Sequence, residues 1–175
     1  MTDHLPLNPP PPKLVERQFI TDQFLTGLST IDLLVPVAKG QRQLIIGDAR
    51  SGKTSFIIDT IVHQTMSKSD RKMIIIYALI GKPVVEIRRL IDVLAANKAL
   101  AQTVLVATSS SDLASLIYVT PLAAFTVAEY FRKRGNDVLI VLDDLGVHAK
   151  FYREMALLQN QAPGRESYPG DIFYQ

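Results

Sequence analysis

Eight consecutive residues, Gly47-Asp48-Ala49-Arg50-Ser51-Gly52-Lys53-Thr54, constrain this chain more than any other feature. They satisfy the pattern GxxxxGK[ST], which has a mechanism only where a strand ends and a helix begins. Both flanks read that way: Gln43 to Ile46 predicts a strand, and a helical stretch opens at Gly52. Glycines let the backbone curl so that successive N–H groups face phosphate oxygens, and the helix aims its positive dipole end at the same place. Lys53 supplies a point charge for the β and γ phosphates. Thr54 offers a hydroxyl suited to Mg2+, an ion that keeps several waters and takes few protein ligands. Average residue frequencies give this pattern by accident in roughly one chain in a hundred of this length, so the strand and helix around it carry much of the weight. The ligand implied is ATP or ADP with Mg2+, cradled by residues 47 to 54.

The rest of the chain repeats short β-branched apolar runs separated by helical stretches, the pattern of a mostly parallel α/β sheet. Beyond Gln43 to Ile46, strands are expected at Met73 to Leu79, Thr103 to Thr108 and Asp137 to Leu142. Each is nearly all apolar, as befits strands covered by helices on both faces. Helices are expected to start at Gly52, near Val84, at Asp112 and near Leu145, and Pro121 is expected to kink or break the third. With 175 residues, 47% of them hydrophobic, one domain is expected. It occupies residues 25–175, after a Pro-rich tail and lead-in over residues 1–24 that contains the block Pro9 to Pro12. Pro163, Gly164, Pro169 and Gly170 predict a shaped loop before Ile172 and Phe173.

Charge and composition exclude several classes. Nineteen basic and 17 acidic residues are scattered along the chain, so there is no basic footprint for nucleic acid. There are no cysteines, and His4, His63 and His148 are far apart in sequence, which leaves no local metal motif. The apolar stretch Leu116 to Ala128 is interrupted by Thr120, Pro121 and Thr126 and is shorter than the roughly 18 residues of a membrane-crossing helix. No secretory leader is read at the N-terminus, so a cytoplasmic or organelle-matrix location is expected.

A second chemical signal is the apolar run Val138 to Leu142 followed by Asp143-Asp144. In open α/β sheets ligands bind at the carboxyl ends of strands, so Asp143 is expected beside the phosphate loop, holding a magnesium-bound water. Asp144 is expected to cap the next helix. The metal set is therefore Thr54 and Asp143. His63 and His148 read as partly exposed helix residues, and Glu86, Arg88, Arg89 and Asp92 as a solvated helix face.

At this point a resemblance becomes specific. The segments 41–48, Ile58-Asp59-Thr60-Ile61, Glu129-Tyr130-Phe131-Arg132, Asp143-Asp144-Leu145 and Pro163 to Asp171 are similar, in order, to the alpha subunit of the rotary F-type ATP synthases. The likeness runs from about residue 25 to residue 174 and covers only the middle of that subunit. It implies a RecA-like P-loop NTPase domain in a non-catalytic, ATP-binding subunit, packed against beta-type subunits of a proton-translocating ring and reaching a membrane only through that complex. The chain departs from the family at Ala49-Arg50, where the alpha subunit typically has Arg-Gln. It departs again at Gly81-Lys82, where the alpha subunit has Gly-Gln and the catalytic beta subunit Gly-Glu. A cation cannot accept a proton from an attacking water, so Lys82 is no hydrolytic base; a solvated loop lysine and a phosphate contact are its two readings. The family's N-terminal β-barrel and C-terminal helical domain, with its arginine finger, are not expected here, and the isolated chain is expected not to hydrolyse ATP. A stand-alone P-loop motor is the alternative, and a degenerate domain that binds nothing a third.

Overall fold

The computed structural model describes residues 4–7, 13, 15, 17–67, 73–161, 164 and 168. The proline block 9–12 and most of the turn-rich segment 162–171, with Ile172 and Phe173, lie outside the described residues. A short antiparallel pair, β1 (Gln23–Phe24) and β2 (Val37–Ala38), brackets α1 (Ser29–Leu34) and forms the lead-in. Asp32 ties this unit together by accepting from the Thr26 and Gly27 amides and the Thr26 hydroxyl.

The main sheet is built around β3 (Met73–Lys82), whose apolar residues are consecutive rather than alternating, so both of its faces need cover. It lies between β4 (Thr103–Ser109) and β5 (Asp137–Asp143), parallel to both, in the order β4-β3-β5. Parallel neighbours require crossovers, supplied by α3 (Val84–Ala96) and α4 (Ala114–Arg132); α2 (Lys53–Met66) precedes β3 and α5 (Leu145–Leu158) follows β5. Residue parity assigns the faces. Ile75, Tyr77, Leu79, Leu139 and Val141 pack with Ile61 of α2 and Leu90 and Leu94 of α3. Ile76, Ala78, Ile80, Val138, Ile140 and Leu142 pack with Ile117, Ala124 and Ala128 of α4. This is the expected RecA-like α/β architecture, with helices on both faces of a parallel sheet.

Three expectations need correction. Gln43 to Ile46 forms no strand: Leu44 is 65% and Ile46 86% exposed. A strand exists by pairing its backbone groups with a neighbour, and among the described residues none lies alongside this segment. Pro121 does not break its helix, because α4 runs on through it to Arg132. Proline cannot donate to the carbonyl four residues back, but Pro121 is buried, and next to it the Thr120 hydroxyl donates to the Leu116 carbonyl (2.9 Å) and meets the Thr108 hydroxyl of β4 (2.9 Å). The uninterrupted helix reaches 19 residues and by length and composition alone matches a membrane-crossing one; its Ile117, Ala124 and Ala128 are core residues under the sheet. Finally, α4 starts at Ala114 rather than Asp112, whose carboxylate accepts from the Ser109 amide (2.7 Å) and closes the turn after β4.

Candidate nucleotide-binding site

Residues 47 to 52 lead into α2 as anticipated, but among the described residues no strand ends at them, so only the helix flank of the expected context is present. Gly52 sits in the left-handed region (φ 91°) as the residue before the helix, and Arg50 shares that region (φ 63°), so the curl rests on a non-glycine as well. The first amide of this turn with a backbone partner is that of Phe56, which donates to the Gly52 carbonyl (2.9 Å). Among the described residues, the amides of Lys53, Thr54 and Ser55 make no hydrogen bond. Donors left without a partner at the positive end of a helix suit an anion. The Lys53 ammonium folds back onto its own loop, donating to the carbonyls of Gly47 and Asp48 (both 2.6 Å). Asp48, Ala49, Ser51 and Thr54 are exposed around it.

The second half of the site is at the carboxyl end of the sheet. Asp143 closes β5 in register with Leu79 of β3. Its Oδ1 lies 2.8 Å from the Lys82 ammonium, and its Oδ2 accepts from the Tyr77 hydroxyl at 3.1 Å. Lys82 also reaches Asp144 Oδ2 at 3.4 Å. The Lys82 and Asp143 side chains keep only 16% and 12% of their exposure. Burial pulls the Lys82 ammonium down, but the hydrogen bond and charge of Asp143, with help from Asp144, more than offset it, and the Lys82 pKa lies above the ordinary lysine value. Burial, then the charge and hydrogen bond of Asp143, push the Tyr77 phenol far above its usual range, so it remains a proton donor. Asp144 caps α5, accepting from the Val147 amide at 2.6 Å, as expected of it. The Asp143–Asp144 peptide is cis.

The two halves differ in how they suit Mg2+. Thr54 fits, with an exposed hydroxyl that has no hydrogen bond among the described residues. Asp143 does not fit while Lys82 and Tyr77 hold its oxygens. Lys82 and Tyr77 would both have to give up these oxygens, so a metal-bound water competes at a disadvantage. Among the described residues no three His, Asp or Glu side chains cluster as metal ligands. No hydrogen bond or ion pair among them joins the phosphate loop to Asp143.

Sequence reasoning did not pair Lys82 with Asp143, nor did it single out Tyr77. One signal was present: Tyr77 interrupts the run Met73-Ile74-Ile75-Ile76-Tyr77-Ala78-Leu79-Ile80, and a buried tyrosine hydroxyl needs a partner. His148 is half-buried, stacked on the Tyr118 ring (centroids 5.5 Å apart), with Nε2 3.1 Å from the Tyr118 carbonyl. Glu86, Arg88, Arg89 and Asp92 are exposed.

Comparison with known proteins bears on this site directly. Residues 27–175 match the model of the ATP synthase alpha/beta family, nucleotide-binding domain. The chain is 45% identical over 170 residues to ATP synthase subunit alpha 2 of Nitrosospira multiformis, covering 97% of this chain and 32% of that protein. It is 41% identical over 173 residues to ATP synthase subunit alpha 1 of Pseudoalteromonas atlantica, covering 99% and 32%. It is 42% identical over 174 residues to ATP synthase subunit alpha of Ehrlichia ruminantium, covering 97% and 34%. The chain thus spans about a third of the length of the curated relatives it matches.

Proposed function

Because the chain belongs to the ATP synthase alpha/beta family and carries its nucleotide-binding domain, we propose that it acts as the non-catalytic, alpha-type nucleotide-holding part of a proton-translocating F-type ATP synthase. The observation that carries this reading is the loop 47 to 54, where three amides without a hydrogen bond among the described residues stand at the start of α2 beside Lys53. On binding, Lys53 releases the Gly47 and Asp48 carbonyls and turns to the β and γ phosphates of ATP or ADP, while residues 47 to 54 wrap them with backbone donors. Of the two residues expected to hold Mg2+, Thr54 would offer its open hydroxyl, and Asp143 would be available to such an ion only with Lys82 displaced.

The partners proposed are beta-type subunits and the other members of such a complex, which holds the chain at a membrane from the cytoplasmic or matrix side. Exposed Leu33, Leu34, Val35, Leu44 and Ile46 support this, since they form apolar surface that a larger assembly covers. Catalysis is not proposed for the chain itself, because the position from which the catalytic relatives would activate water holds Lys82, a cation already bonded to two carboxylates. The test is calorimetric titration of ATP into the wild type and Lys53→Ala. At least a tenfold loss of affinity, about 1.4 kcal/mol, is expected; equal affinity removes the proposal.

A further inference from the structure

Lys82 is even-numbered, and simple alternation along β3 puts it with Ile76, Ala78 and Ile80 on the α4 face, away from Asp143. Asp143 follows Leu139 and Val141 onto the opposite face, where Tyr77 lies. A bulge reverses the phase. Leu79 pairs with Ala107 and Lys82 with Ser109, so β3 carries one residue more than β4 over this interval. One extra residue moves everything after it to the other face. Gly81 makes the bulge possible: its φ is 58°, and a Cβ there would sit 3.0 Å from Val147 and 3.3 Å from Phe151. The consequence is an ammonium delivered to Asp143 Oδ1 at 2.8 Å and Asp144 Oδ2 at 3.4 Å, with Tyr77 on the remaining Asp143 oxygen.

We propose that Lys82 is a built-in counter-ion that stands where a divalent cation would otherwise act on Asp143, so that this chain binds its nucleotide with little dependence on Mg2+. Two carboxylates side by side at the end of a sheet attract a cation, and here the cation is covalently part of the chain and already in contact with both. Mg2+ gives up its waters reluctantly and binds through few carboxylates; with Asp143 neutralised, its contribution is confined to the phosphates and Thr54. Lys82 thereby becomes a specificity residue that sets which form of the nucleotide, metal-free or metal-bound, the site prefers.

The inference rests on the nucleotide-binding reading above, and the test separates the two. ATP affinity is measured by calorimetry in excess Mg2+ and in EDTA for the wild type, Lys82→Gln and Asp143→Asn. The wild type is expected to change less than about threefold between conditions, Asp143→Asn to behave likewise, and Lys82→Gln to bind at least tenfold tighter with Mg2+. A tenfold loss in EDTA for the wild type, a Mg2+-specific loss for Asp143→Asn, or an indifferent Lys82→Gln overturns the inference. The chain without nucleotide is then titrated with Mn2+, following the free-ion signal by paramagnetic resonance. Lys82→Gln is expected to gain a Mn2+ site that the wild type lacks, and equal Mn2+ binding overturns the inference even if ATP binding itself fails.

Discussion

Lys53 and Lys82 are both lysines held by oxygen atoms, yet their surroundings are opposite. Lys53 bonds two carbonyls of its own loop, in a segment whose Leu44 and Ile46 are exposed and which no strand supports among the described residues. Lys82 is held by carboxylates from another strand, over a core in which Ile75, Ile76, Tyr77 and Ala78 are fully buried. The first arrangement is local, and a phosphate can replace carbonyls that water will satisfy just as well. The second is non-local and half-desolvated, so disturbing it strands a charge. The difference teaches that one half is held only by its own loop and open to water while the other half is part of the fold. Mutations should therefore separate cleanly, with stability effects from the sheet and affinity effects from the loop.

The largest expected effect tests the sheet side alone. Leu94 is fully buried beneath the sheet with Ile75, Tyr77 and Leu79, and Leu94→Ala should cost about 3 kcal/mol of stability in urea unfolding. ATP affinity of the folded fraction should hardly change; a loss matching that of Lys53→Ala would dissolve the distinction between the halves. Next is Gly81→Ala, which meets both a left-handed backbone and the Val147 side chain at 3.0 Å. Strain and overpacking together should cost about 2 kcal/mol, again read by urea. A neutral outcome would mean that the bulge is soft and that Lys82 is not rigidly aimed.

Gly52→Ala sharpens the comparison from the loop side. Its φ of 91° is as strained for alanine as that of Gly81, but nothing lies within 4 Å of the added Cβ. Only the conformational cost of about 1 kcal/mol remains. The loop can relax while empty and must pay strain only when it wraps phosphate, so affinity should fall about fivefold with the unfolding midpoint unchanged. A shifted midpoint with unchanged affinity would show that the loop belongs to the cooperative fold after all.

The sheet was legible in the sequence because consecutive apolar residues between helical stretches admit few other arrangements: Met73 to Leu79, Thr103 to Thr108 and Asp137 to Leu142 all became strands, each extended by one to three residues. Gln43 to Ile46 has the same composition and did not, since pairing depends on a neighbour that composition cannot name. The helix through Pro121 was misjudged for a related reason, as packing on the sheet outweighs one missing backbone hydrogen bond. In the site, the motif gave the loop and its helix, and Asp144 took its cap. The Lys82–Asp143 pair was out of reach because alternation points the two residues to opposite faces, and a bulge of one residue at Gly81 leaves no signature beyond a glycine.

The smallest expected effect is in pH dependence, and it bears on the sheet side. Lys82 has a folded-state pKa above that of an ordinary lysine, because the pull of Asp143 and Asp144 outweighs burial. The folded chain therefore holds this proton more tightly than the unfolded chain does. Stability from the pair is fully present below the unfolded lysine value of about 10.4 and is lost as pH rises through the higher folded value. Tyr77, whose pKa is also raised, keeps donating to Asp143 across the same interval. Between about pH 6 and pH 9 the pair should thus contribute constantly, and wild type and Lys82→Gln should differ in urea midpoint by a fixed amount; above about pH 10 that gap should narrow. Other lysines titrate in this region as well, so the difference between the two proteins is the quantity to follow, not either curve alone. A gap that stays constant to pH 11 would mean that Lys82 does not owe its place to the carboxylates, and the contrast with Lys53 would lose its electrostatic basis.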